Sequence, residues 1–278
     1  MQALNNHLTF IIKTSKMKKE IYFKRLLGVI FFMMLMLGAD KIVNAQVTTY
    51  QYRYVAPDKQ AEFIKRETTY WSKVAKKAID KGTLTFWALL EKVGGVDMQN
   101  SSNFLFINTY PDINTDMGAV WNAAPLFPGI AADKMSTYSM STETANIFLH
   151  GEGWQQVDKA DPAKDFKYVV MNYHNSSNAS GFIDIEKNQW GPFIKTSMDN
   201  KLTEQKAWGN AVVLSPFGGN MKFNCVSYDL FPTLKAALMQ TWSPDTKFPT
   251  SGLDSLQKIS LNPPATFIYR VVQVESKN

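Results

Sequence analysis

Residues 54–80, YVAPDKQAEFIKRETTYWSKVAKKAID, and residues 173–199, YHNSSNASGFIDIEKNQWGPFIKTSMD, are two versions of one stretch of 27 residues. Without any gap, seven positions carry the same residue: Tyr54/Tyr173, Phe63/Phe182, Ile64/Ile183, Glu67/Glu186, Trp71/Trp190, Lys76/Lys195 and Asp80/Asp199. A repeat at a constant offset, here 119 residues, indicates that each copy belongs to a complete structural unit. The chain is therefore predicted to consist of two similar halves.

The first copy predicts a strand followed by a long helix. Tyr50, Tyr52 and Tyr54 alternate in a stretch rich in β-formers, which predicts a strand over residues 46–55. Apolar residues then recur at helical spacing, which predicts a helix over residues 58–80. The rest of the first half is predicted as strands at 84–92 and 103–110, a weaker helix at 116–124 and a strand at 145–157.

The second half repeats this order after a polar boundary at residues 158–165. Pro192 directly follows the second copy of the Trp, and an interior proline removes a helical hydrogen bond. We therefore expect the second long helix to bend or split there, while the first runs on. The elements are predicted as strands at 167–174, 206–214, 222–229 and 266–274, a helical region at 180–199 and a helix near 233–241.

Strand, helix, strand, strand, helix, strand is the order of a ferredoxin-like unit, an antiparallel sheet with both helices on one face. A tandem pair of such units, with Glu-x-x-x-Trp in the first helix and Trp87 or Trp208 in the following strand, resembles the dimeric α/β-barrel superfamily, and within it the NIPSNAP and EthD-like branches. The resemblance implies an α+β fold in which two plaits, residues 46–160 and 166–278, pack sheet to sheet as a pseudo-dimer within one chain. The sequence leaves the oligomeric state open, with an oligomer as one alternative.

Residues 1–45 have the layout of a secretory signal peptide. Basic residues at 18–25 precede an apolar run at 26–37, and Val43 and Ala45 stand at the −3 and −1 positions of a cleavage site. The run is too short to span a bilayer comfortably, since spanning takes about 20 residues. We predict cleavage after Ala45 and a bacterial periplasmic or extracellular protein without a stable membrane span; the alternative is a retained N-terminal anchor.

The charge of the chain belongs mostly to this leader. Of 30 basic and 24 acidic residues, seven basic and two acidic ones lie in residues 1–45, which leaves 23 and 22. No basic stripe remains, so we expect no nucleic-acid partner. Cys225 is the only cysteine and excludes an intramolecular disulfide; its apolar neighbours predict a buried strand thiol.

Two carboxylates lie on apolar helical stripes and are the candidate catalytic residues. Glu67 is one turn from both Phe63 and Trp71, and Glu186 repeats that position in the second copy. A stripe that buries such side chains faces the sheet, and desolvation raises a carboxyl pKa towards neutrality, which suits a general acid or base. The alternative is a structural role, with each Glu at the stripe edge or paired by a buried donor.

The sequence offers few histidines for catalysis or ligand binding. His174, at the end of a predicted strand, is a candidate proton shuttle or ligand contact. Neither His150 nor His174 has a second ligand residue at metal spacing, so no metal site is predicted. The resemblance implies that haem-binding relatives carry an axial His on a helix of the second half. The predicted helices of that half hold no His, so we expect no cofactor.

Aromatic residues could line a ligand cavity between sheet and helices, or could simply fill the core. The ligand-binding candidates are Tyr54, Tyr173, Trp71, Trp190, Trp87 and Trp208.

The sequence leaves two hypotheses open and does not decide whether any catalysis occurs. In the first, an exported protein binds, or converts without a metal, a small apolar or aromatic molecule. Glu67 or Glu186 is then the base, and Tyr54, Tyr173 and His174 are polar contacts. The resembled superfamily includes cofactor-independent oxygenases and isomerases acting on such molecules. In the second, the chain is a non-enzymatic interaction or scaffold domain at the cell envelope. A roomy cavity beside the two Glu residues favours the first.

Overall fold

The computed structural model describes residues 46–94, 101–216 and 221–277. The predicted signal peptide at residues 1–45 lies outside the described residues. Within the described ranges, no helix is long and apolar enough to cross a membrane.

Eight strands are connected by helices in the predicted order. The strands are β1 Val47–Val55, β2 Phe86–Lys92, β3 Phe104–Tyr110, β4 Ser141–Gln156, β5 Tyr168–His174, β6 Ala207–Ser215, β7 Cys225–Phe231 and β8 Ala265–Ser276. The α-helices are α1 Gln60–Arg66, α2 Ser72–Lys81, α3 Met117–Val120, α4 Ala132–Met135, α5 Pro162–Asp165, α6 Ala179–Ile185, α7 Gly191–Asp199, α8 Leu234–Met239 and α9 Thr250–Ile259.

The strands form one closed antiparallel barrel in the order β1-β3-β2-β8-β5-β7-β6-β4. Within each half the spatial order is fourth, first, third and second strand. The two halves also pair edge to edge, which the sequence did not predict. The long strands cause this: the first part of β4 pairs with β1 and its end with β6, while β8 likewise pairs with both β5 and β2.

The two sheet faces have different environments. The barrel interior is filled by apolar and tyrosine side chains, among them Tyr50, Tyr52, Leu105, Met171, Tyr173 and Tyr269. The outer face carries the helices, where Phe63, Ile79 and Trp87 form a second core in the first half. Cys225 is fully buried on β7, as predicted, against α6.

Both long helices contain a π-helical turn at the same place in the repeat. Glu67–Trp71 separates α1 from α2, and Glu186–Trp190 separates α6 from α7, an offset of 119 residues. In each turn the next residue donates its N–H to the carbonyl of the Glu five residues earlier. The expectation that only the second helix is interrupted is therefore wrong. Pro192 lies in the first turn of α7, where a missing N–H costs least.

Smaller differences concern the segments outside the repeat. The weaker predicted helix shrinks to α3, β4 begins four residues before its predicted start, and α9 was not predicted.

Candidate functional site

A cavity of about 370 Å³ lies between the outer face of the first-half sheet and the first long helix, residues 60–81. Its wall is polar on the β1 side and aromatic elsewhere. The lining residues are Thr49, Gln51, Arg53, Glu67, Trp71, Trp87, Phe106, Asn108, Tyr110, Met117, Gly118, Trp121, Thr137, Tyr138, Asn146 and Phe148. The volume falls within the range of small-molecule sites, and such sites combine apolar walls with a few polar groups.

Glu67 is the buried carboxyl of this cavity, with 4% of its surface exposed. It opens the π-helical turn, and the extra residue of that turn lets Glu67 face the sheet while α2 still buries Val74 and Ala78. The Thr137 hydroxyl donates to Oε1 at 2.6 Å, the one donor to this carboxylate among the described residues. Burial raises the pKa of Glu67 to about 7, although the Thr137 hydrogen bond and the charge of Arg53 favour the ionised form. The acid and the carboxylate are therefore both populated near neutral pH.

The polar side chains of β1 and β3 form the opposite wall. Thr49, Gln51 and Arg53 alternate onto the helix side of β1, and the Asn108 amide on β3 donates to the Thr49 hydroxyl at 3.0 Å. Arg53 donates through Nε to Gln51 Oε1 at 3.1 Å and through Nη1 to Ser141 Oγ at 3.2 Å.

Aromatic residues close the remaining sides. Trp87 is 1% exposed at the base, and the Trp71 indole donates to the Met135 carbonyl at 3.0 Å. The Trp121 indole donates to the Tyr110 hydroxyl at 3.0 Å, which ties the residue after α3 to the end of β3. These hydrogen bonds fix the Trp71 and Trp121 rings in place.

The second half places Glu186 at the equivalent position, also 4% exposed, but in closely packed surroundings. Trp208 fills the space so tightly that a Cβ added to Gly191 would lie 3.0 Å from its ring. Four buried polar atoms there have no hydrogen-bond partner within the described chain: Glu186 Oε2, Trp208 Nε1, and the Oδ1 and Nδ2 atoms of Asn210. The two halves thus present the same carboxyl in an open and in a filled environment.

A second carboxyl, the half-buried Asp229 on β7, accompanies Glu186. The side chains of Gln205 and Asn172 donate to it at 2.7 and 3.1 Å. Burial raises the pKa of Asp229 to about 7, against the effect of both hydrogen bonds. Burial, and after it the charge of Asp229, raises the pKa of Glu186 to about 8. Asp229 therefore disfavours ionisation of Glu186, which keeps its proton at neutral pH, whereas Asp229 is only partly protonated there.

The structure separates the predicted site residues into groups. Glu67, Trp71 and Trp87 meet in the cavity. Tyr173 faces the barrel interior, where Tyr52 donates to its hydroxyl at 3.0 Å, so it lies on the opposite sheet face. Tyr54 is half-buried on β1 and does not line the cavity.

The other predicted residues lie in the second half. Trp208 is 1% exposed, and the Trp190 ring lies 5.1 Å from Phe193 in a cluster of aromatic side chains. His174 lies 4.6 Å from the Phe182 ring, and its Nε2 is 2.9 Å from the Ser227 hydroxyl. Burial lowers the pKa of His174 to about 4, so the imidazole is neutral at physiological pH.

Neither His150 nor His174 belongs to a cluster of metal-ligating side chains within the described residues. His174 is occupied by Ser227 and Phe182, and His150 Nδ1 is 2.9 Å from the Gln46 carbonyl oxygen. In this part of the chain no group of three His, Cys, Asp or Glu side chains is placed to hold a metal ion.

Sequence reasoning missed Arg53, Asn108 and Thr137 in the first half, and Asn210 and Asp229 in the second. For the strand residues a signal existed, since polar side chains recur on one face of otherwise apolar strands. Thr137 precedes a short 3₁₀ turn at Tyr138–Met140, and nothing in the local pattern points to Glu67.

Comparison with known proteins supports the fold. No family model and no curated protein matches the chain. Among solved structures, a candidate monooxygenase of Lactobacillus acidophilus has a TM-score of 0.55 at 9% identity, covering 84% of this chain and 97% of its own. One from Fusobacterium nucleatum has a TM-score of 0.53 at 11% identity, covering 84% and 94%. An anthrone oxidase-like protein has a TM-score of 0.50 at 13% identity, covering 83% and 92%. The chain has the fold of the dimeric α/β-barrel superfamily, as its sequence resemblance indicated.

Proposed function

We propose that this protein binds, or converts without a metal, a small aromatic molecule in the first-half cavity, with Glu67 as the acid–base group. The observation that carries the proposal is one buried carboxyl, ionising near neutral pH, in the wall of an aromatic cavity of about 370 Å³. A general acid or base works best when its pKa lies near the operating pH. Trp71 and Trp87 are the proposed ligand contacts.

Glu67 can exchange a proton in either direction. As a carboxylate it accepts a proton from a phenol or from a carbon next to a carbonyl group, and as an acid it returns that proton. The Thr137 hydroxyl holds Oε1, which fixes the carboxyl orientation while the exchange takes place. The names of the structural neighbours, monooxygenase and anthrone oxidase-like, are compatible with a flat aromatic substrate.

We propose a structural role for the second half, whose close contacts leave little room beside Glu186. The roles first predicted for Glu186, His174, Tyr173, Trp190 and Trp208 stay predictions. The filled barrel interior supports the alternative of a non-enzymatic interaction domain.

We also propose that residues 46–160 and 166–278 are tandem ferredoxin-like units. The shared strand order of the halves and the common offset of their long helices support this assignment. Export to the periplasm or beyond also stays a proposal; mass spectrometry of the exported chain is expected to find Gln46 at the N-terminus.

Anthrone, a flat ketone with an acidic methylene group, is a suitable probe of the acid–base proposal. Its hydrogen–deuterium exchange in D₂O under argon reports proton removal without any reaction with oxygen. We expect the wild type to accelerate exchange and Glu67→Gln to lose about 100-fold of that acceleration. Glu186→Gln is the matched control, because it removes an equally buried carboxyl, and should keep the wild-type rate.

Thermal melting of both variants shows whether each is folded. An unchanged exchange rate in folded Glu67→Gln would refute Glu67 as the base. A wild type that neither binds anthrone nor accelerates exchange would favour the interaction domain.

A further inference from the structure

Arg53 is the buried arginine of the structure and lies in the cavity wall. It is 6% exposed, and within the described chain it forms no ion pair with an Asp or Glu. The other two arginines of the described ranges, Arg66 and Arg270, are each paired with a carboxylate, although they are nearer to solvent. Burying a charge without a counter-charge is costly, so an unpaired buried guanidinium calls for an explanation.

The hydrogen bonds and ring contacts of Arg53 are with neutral groups, although Gln51 also donates to the exposed carboxylate of Glu143, which lies opposite Arg53 on β4. Its Nε and Nη1 donate to Gln51 and Ser141, and its guanidinium carbon lies 5.1 Å from the Phe106 ring centre and 4.7 Å from that of Tyr138. Two aromatic faces and two amide or hydroxyl oxygens orient the guanidinium without neutralising it.

Glu67 does not supply the missing negative charge. Arg53 is close enough to favour the ionised carboxylate, yet the two side chains form no ion pair, and burial prevails over that attraction. Near neutral pH the cavity therefore holds a full positive charge beside a carboxyl that is only partly ionised.

We infer that the cavity takes an aromatic molecule bearing an anionic oxygen group, of which a carboxylate is the simplest case, and that Arg53 holds this group. The inference rests on the proposed function and adds the class of ligand. A planar guanidinium matches a carboxylate in a fork geometry, and the aromatic walls accept the ring. The ligand thereby supplies the direct ion pair that Arg53 does not form within the described chain.

Binding of such an anion also involves Glu67. A second negative charge in the cavity disfavours the ionised carboxylate, so the complex takes up a proton on Glu67. Affinity is then expected to fall as pH rises through neutrality. The other charged or titratable groups that line the cavity are Arg53, which stays charged, and the phenols of Tyr110 and Tyr138. Burial raises the pKa of Tyr110 above its ordinary value.

The test compares 2-naphthoate with its neutral isostere 2-naphthamide by titration calorimetry of the wild type near neutral pH. We expect naphthoate to bind about 10-fold or more tightly, because a hydrogen bond to a charged group is at stake. Arg53→Gln should remove this preference and leave naphthamide unchanged. Arg270→Gln, which deletes an exposed arginine away from the cavity, is the control and should bind like the wild type.

Further measurements locate the site and its proton. Gly118→Leu, which extends a side chain from the cavity wall, should weaken both probes. The pH dependence of naphthoate affinity should disappear in Glu67→Gln. If Arg53→Gln does not fold, the comparison of the two probes on the wild type still shows whether the cavity prefers an anion.

The outcomes separate the inference from the proposed function. Equal affinities for the two probes on the wild type would overturn the anion inference and leave an aromatic site standing. Equal losses of both probes in folded Arg53→Gln would do the same. Binding of neither probe to the wild type would overturn the inference and the proposed function together.

Discussion

Glu186→Gln should change how the stability of the protein depends on pH, and the structure fixes the direction. The unfolded chain releases the proton of Glu186 near the ordinary pKa of about 4.3. The folded protein keeps this proton up to about pH 8, because the carboxyl is buried and near Asp229. Since the folded-state pKa is the higher one, the stabilisation is complete at low pH and is lost as pH rises towards 8.

The expected magnitude follows from a single proton. One proton contributes about 1.4 kcal/mol of unfolding free energy per pH unit. Between about pH 5.5 and about pH 7.5 the wild type should therefore lose about 2.5 kcal/mol relative to Glu186→Gln. Carboxyls that do not interact with Glu186 are present in both proteins, so their contributions cancel in the difference. Asp229 does interact with Glu186, so its titration modifies the expected value.

Urea unfolding of both proteins at the two pH values measures this difference. Asp184→Asn, a change one half-turn away on the exposed side of the helix, is the control and should show no such pH dependence. A stability difference between the wild type and Glu186→Gln that does not vary with pH would show that Glu186 ionises normally. The inward orientation of Glu186 would then be wrong.

Three further predictions concern other contacts. Thr137→Val removes the hydroxyl that donates to the Glu67 carboxylate, so NMR titration should find the pKa of Glu67 raised further above about 7. The variant should also lose about 1–3 kcal/mol of unfolding free energy. An unchanged pKa would refute the contact. Gly191→Ala should destabilise the fold by about 1–3 kcal/mol through contact with Trp208, whereas Gly151→Ala, where a Cβ meets nothing within 4 Å, should be nearly neutral in denaturant titrations. Cys225 is buried and burial raises its pKa to about 12, so a thiol reagent should modify native protein only as fast as it opens; rapid modification would contradict this placement.

The repeat and the buried position of Glu67 could be predicted because both depend on local periodicity. The pairing of a glutamate with Phe and Trp one turn away identifies the face of the helix that meets the sheet. The π-helical turns could not be predicted in this way, since the apolar stripe keeps spacings of three and four residues through the turn, which an uninterrupted α-helix also gives.

The location of the cavity depends on contacts between distant parts of the chain. Alternation along β1 puts Tyr50 and Tyr52 on one face and Arg53 on the other, but it does not say which face meets the helix. Closure of the barrel decides which face of β1 meets the helix, and it places the two tyrosines in the barrel interior. The difference between the halves also depends on one tertiary contact, the seating of Trp208 against Gly191.

Ring closure by β4 and β8 has a consequence for how the chain folds. Each of these strands pairs with a strand of the opposite half, and the Glu91–Arg270 pairing joins residues 179 positions apart. Closing such long loops costs conformational entropy and is slow. The strand pairs that join the two halves should therefore form late. Until then either half exposes two unpaired strand edges, which readily join a second chain. A chain cut between the halves should therefore give fragments that self-associate, or that reassemble with each other into the complete ring.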